Sequence, residues 1–191
     1  MFKLLSAAVI IFSCQSFVVN ANSVEYAPAQ VSTCFRPSTD GGCIDSIVAA
    51  IGLAKTEIRV QAYNFTSPPI LAALAKAKKD GIDVQIILDK INDPILNPSK
   101  GKHKARYSGA DFMNNSGILV MIDRKPSIAH NKLIIIDRHL VIGGSYNYSV
   151  RAERNNAENV TFIDSGVVAS WFLDNWNKRF TVSERFVPLS R

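Results

Sequence analysis

The sequence predicts an α/β fold: a mixed, mostly parallel central sheet flanked by helices on both faces. Two observations lead there. Between residues 31 and 88, strand-like and helix-like stretches alternate, a pattern that implies right-handed crossovers between parallel strands. Farther on, Leu133-Ile-Ile-Ile136 is an unbroken apolar run, as found in a strand covered on both sides.

The elements follow in order. Residues 31–35 form a first strand, and residues 44–54 a helix, with Ile44, Ile47, Val48 and Ile51 at helical spacing. Residues 57–63 alternate as a strand does. Ser67-Pro-Pro supplies an N-cap and a proline at the first helical position for a helix over 70–79, closed by Gly81. A strand over 84–88, a helix over 106–115 and a strand over 118–122 precede a hairpin built on 133–136 and 141–142. A strand over 159–163 and a helix over 167–180, carrying Trp171 and Trp176 as packing residues, complete the fold.

Met1-Phe-Lys3 and the apolar stretch after it, ending at Val19-Asn20-Ala21, read as a signal peptide over 1–21. Residues 22–30 are a polar leader, and 31–191 one domain. Removing residues 1–21 takes away Lys3 alone, leaving 21 basic against 16 acidic residues and a net charge of +5. That balance favours a polyanion or an anionic membrane surface as partner. Cys34 and Cys43, an even pair in an exported chain, are expected to form a disulfide. Asn-x-Ser/Thr sequons at Asn147 and Asn159 would put glycans on the candidate site, so the expected destination is a bacterial periplasm or the medium. No cluster of Cys and His has metal-ligand spacing, and the chemistry reads as free of metal and cofactor.

Chemistry concentrates between Ile128 and Asn147. His130 and Lys132 lie two apart and so share one face of an extended strand, as do Ser145 and Asn147. A hairpin would bring imidazole, ammonium, hydroxyl and amide to one phosphate-sized spot. His-x-Lys/Arg alone arises by chance about one time in three at this composition. Adding Asp137 and Gly144-Ser-x-Asn147 at their spacings lowers that to on the order of 10⁻⁵, so a plain core hairpin is a poor account of the pattern.

At these residues the chain resembles the phospholipase D superfamily, with its signature H-x-K-x4-D-x6-G-S-x-N. It is most similar to the small exported, single-motif bacterial endonuclease branch, over about residues 31–180. The resemblance implies that His130 is the nucleophile and that Lys132, Ser145 and Asn147 hold the non-bridging phosphate oxygens. It implies that Glu158 orients the imidazole, and that Asp137 and Gly144 are signature scaffold.

Lys100, Lys102, Lys104 and Arg106 form a basic stretch after a strand, a candidate rim for a phosphodiester backbone. Once phosphorylated, one imidazole cannot also protonate the leaving group. A single motif per chain therefore calls for a homodimer with both copies of His130 at the interface. The expected function is metal-independent, nonspecific cleavage of DNA, with RNA as a secondary substrate. Phospholipid headgroup hydrolysis is the alternative with the same chemistry, with Ile91, Pro94, Ile95 and Leu96 as its apolar rim. A non-catalytic nucleic-acid-binding module is the alternative of another class.

Overall fold

A computed structural model describes residues 26–37, 42–93 and 108–188. The segment 1–21, the candidate rim of Lys100, Lys102, Lys104 and Arg106, and Pro94, Ile95 and Leu96 lie outside the described residues.

Among the described residues, eight strands form one sheet in the order β1-β7-β6-β5-β2-β3-β4-β8. They are β1 (Gln30–Arg36), β2 (Glu57–Ala62), β3 (Asp83–Asp89), β4 (Leu119–Asp123), β5 (Lys132–Ile136), β6 (Leu140–Gly144), β7 (Glu158–Asp164) and β8 (Glu184–Arg185). The mixed α/β class agrees with the expectation, but the sheet is mostly antiparallel rather than mostly parallel. Only β2–β3 and β3–β4 run parallel, joined through α2 (Pro68–Lys79) and α3 (Gly109–Asn115). After β4 the chain returns to pair β5 antiparallel with β2, and three residues then join β5 to β6. So short a connection cannot make a crossover; farther on, β7 pairs antiparallel with β6 and β8 antiparallel with β4.

Helices cover both faces. On one, Ile47 and Ile51 of α1 (Cys43–Gly52) and Leu71 and Leu74 of α2 pack over Ile58, Val60, Ile86, Ile134 and Ile142. On the other, Ala169, Leu173 and Trp176 of α5 (Gly166–Val182) pack over Ile87, Leu133, Ile135 and Val141. Residues 133–136 thus feed two cores alternately, which is why the run carries no polar position. Trp176 is buried, its indole N–H donating to the Val60 carbonyl (3.0 Å); Trp171 is half-buried.

Cys34 and Cys43 form a disulfide that ties β1 to α1. Three short elements carry no periodic signal: the 3-10 turn Lys90–Asn92, α4 (Val150–Arg154) and β8. The helix expected over 106–115 is described from Gly109, behind a capping box of Ser108 and Asp111.

Candidate active site

The topology gathers the site at one end of the sheet. β2 and β3 end there, at Ala62 and Asp89; β5, antiparallel to β2, begins there at Lys132; β6 ends there at Gly144; β7 begins there at Glu158. Continuing the pairing of Ile134 with Ile142 by two residues sets Lys132 opposite Gly144, with His130 and Ser145 just outside the ladder. Gly144 sits at φ 139°, and a Cβ there would lie 2.4 Å from the Asn159 carbonyl oxygen. Only glycine admits that approach of β6 to β7.

His130 is exposed. Its ring lies 4.7 Å from that of Tyr63, tilted by 54°. Lys132 is 8% exposed; its ammonium donates to the His130 carbonyl (2.7 Å) and stands 5.4 Å from the Tyr63 ring. Burial pulls the Lys132 amine below its usual pKa, and the charge of Glu158 only partly offsets this. A cation short of partners in a dry place is suited to receive phosphate oxygens.

Ser145 donates to Glu158 (2.5 Å), whose other carboxylate oxygen accepts from the Asn156 amide (2.7 Å). Within one chain Glu158 is therefore engaged by Ser145 and Asn156, while the imidazole meets Tyr63. The buried amide oxygen of Asn147 has no partner among the described residues. Asp137 lies at the opposite end of the sheet, accepting from the backbone N–H groups of Lys55, Thr56 and Glu57 and from the Thr56 hydroxyl (2.8–3.0 Å). Burial pushes its carboxyl up, but those donors outweigh it and hold the group below 3.8.

The structure adds groups without a motif. Behind the Gly-Ser-x-Asn turn, Tyr146 donates to Glu153 (2.7 Å), which also pairs with Arg36 of β1. Tyr63, Asp89 and Asn92 surround the residues flanking His130. The sole sequence signal for Tyr63 is its place at the carboxyl end of an alternating strand, where α/β sheets build their sites. An open pocket of about 360 Å³ adjoins the site between β5–β7 and α5, with His130, Lys132, Gly144, Leu133, Val141 and Phe172 in its lining.

Imidazole, buried ammonium, hydroxyl and amide thus meet at one sheet end, a set of groups chemically suited to phosphoryl transfer. Residues 47–180 match the family model described as cardiolipin synthase, PLD-like domain. A protein of Rickettsia prowazekii named phospholipase D is 39% identical over 173 residues, covering 90% of this chain and 78% of the relative. The crystal structure of Nuc, a phospholipase D family member from Salmonella typhimurium, superposes with a TM-score of 0.73 at 33% identity, over 84% of this chain and 100% of that one. NucT from Helicobacter pylori shares the fold, with a TM-score of 0.68 at 22% identity over 83% and 100% of the two chains. The chain belongs to the phospholipase D superfamily, and it is a phosphodiesterase of the hydrolase class.

Proposed function

We propose that the protein is an exported, metal-independent nuclease acting on DNA, and on RNA by the same route, through a phosphohistidine on His130 in a homodimer. The observation that carries the reading is the exposed imidazole of His130 beside the buried ammonium of Lys132, at a strand end where Ser145 and Asn147 add two neutral groups. An unprotonated His130 nitrogen bonds to phosphorus as the bond to the leaving alkoxide breaks, and the partner's His130 gives that oxygen a proton. Water, giving its proton to the partner's His130, then displaces His130 from phosphorus and releases the monoester. Lys132, Ser145 and Asn147 hold the oxygens on which charge builds. Two in-line displacements retain configuration at phosphorus.

A polymeric substrate is supported by the net charge of +5 on residues 22–191 and by the exposure of His130 and Ser145, which lets an extended backbone reach them. Export is supported by the Cys34–Cys43 bridge, since disulfides persist in oxidising compartments. The second reading, a phospholipid substrate, is favoured by Ile128, 55% exposed two residues before His130, and by the name of the Rickettsia relative.

One assay separates the two: purified protein in EDTA, offered plasmid DNA and phosphatidylcholine vesicles side by side. Nicked plasmid with little choline release is expected. Choline release with intact plasmid would move the substrate to the second reading, and loss of both activities on chelation would overturn the metal-free scheme.

A further inference from the structure

Among the described residues the imidazole of His130 has no hydrogen-bond partner, yet both residues flanking it are tied down. On one side, the Asp89 carboxylate, 2% exposed at the end of β3, accepts from the Ala129 N–H (2.6 Å) and from the Ile91 N–H (2.8 Å). On the other, the Tyr63 N–H donates to the Asn131 carbonyl (3.0 Å). The two ties are linked, because the Asn92 amide donates both to the Tyr63 carbonyl (2.6 Å) and to the Asp89 carbonyl (3.1 Å). The Tyr63 ring then supports both the imidazole and the Lys132 ammonium.

We propose that Asp89 and Tyr63 are positioning residues for His130, fixing its backbone from both sides and its ring from one face. This rests on reading His130 as the nucleophile. A carboxylate is a costly group to bury, and here it is spent on two backbone donors, where a charged acceptor holds them more tightly than a carbonyl would. The benefit falls on the attack geometry, where an error of about 1 Å can cost about 10²-fold in rate.

Asp89→Asn keeps the shape but offers one acceptor oxygen for two donors. With bis(p-nitrophenyl) phosphate as substrate, kcat should fall about tenfold or more while KM stays within about twofold. Tyr63→Leu should fall likewise, and Tyr63→Phe, which keeps the ring, should recover most of the loss. NMR gives a readout independent of turnover. The His130 ring protons, assigned by their disappearance in His130→Asn, should move downfield in Tyr63→Leu and shift in Asp89→Asn. If Asp89→Asn does not fold, Asn92→Ala, which removes only the tie to Tyr63, should produce the same shift in smaller measure. Unmoved imidazole resonances, or an unchanged kcat in an active enzyme, overturn the proposal even if the melting temperature drops. A wild type that hydrolyses no phosphodiester would instead sink the functional reading, leaving the resonances to decide the positioning.

Discussion

In the proposed mechanism Lys132 must carry its charge to hold phosphate oxygens, and its burial makes that charge easier to lose than in water. Activity should therefore show an alkaline limb with its midpoint below 10.5, the ordinary lysine value. Stability should move the other way. Between the lowered folded pKa and the unfolded value the unfolded chain binds more protons, so the Lys132 contribution to stability rises with pH across that window. A pH–rate profile flat through 10.5 would remove Lys132 from the phosphate site. At this scale the motif was legible because four polar residues at fixed spacings on short strands converge whatever the remaining packing. The engagement of Glu158 by Ser145 and Asn156 was not legible, and neither were Tyr63 and Asp89. Tyr63 directly follows β2 and Asp89 ends β3, roughly 40–70 residues before His130, and no spacing rule reaches that far.

Among the elements, the β5–β6 hairpin places the site, and Asp137 locks its far end to the start of β2. Asp137 and Arg138 have φ of 52° and 57°, and the His139 N–H donates to the Ile136 carbonyl (3.0 Å), as in a type I′ turn. Asp137→Asn tolerates that backbone and keeps the shape, but loses the charge on the shared acceptor. It should cost about 1–2 kcal/mol at neutral pH by urea denaturation, with kcat nearly unchanged. The Asp137 pKa is depressed, so its contribution is present above the unfolded value and vanishes as pH falls through the folded one. Wild type and variant should therefore converge as pH falls below that folded value, and a gap that persists in acid would show that shape rather than charge is lost. The sequence announced the apolar run of β5 and the two helices that begin with a proline or a spaced apolar stripe. It misled on strand direction, because helix-strand alternation in the first half describes only β2, β3 and β4. Five-residue α4 and two-residue β8 are too short to show a period.

For the whole molecule, the disulfide and the proposed dimer determine whether the site is held and complete. Cys34–Cys43 pins the edge strand β1, which pairs with β7 along its whole length and sets Arg36 opposite Glu158. Replacing both cysteines by serine should remove about 2–3 kcal/mol from the unfolding free energy, the loop entropy of so short a bridge. Equal denaturation curves with and without reductant would show that β1 is held by its ladder alone. The dimer has no signature in one chain's periodicity, since only the single copy of the motif argues for it. Mixing settles it most directly. Wild-type protein and His130→Asn are unfolded and refolded together in equal amounts, and phosphodiesterase activity is measured against wild type alone. If each site needs an imidazole from both subunits, only dimers of two wild-type chains work and activity falls to about one quarter. A fall to only about one half would mean that each chain turns over alone, and would contradict the paired-histidine account.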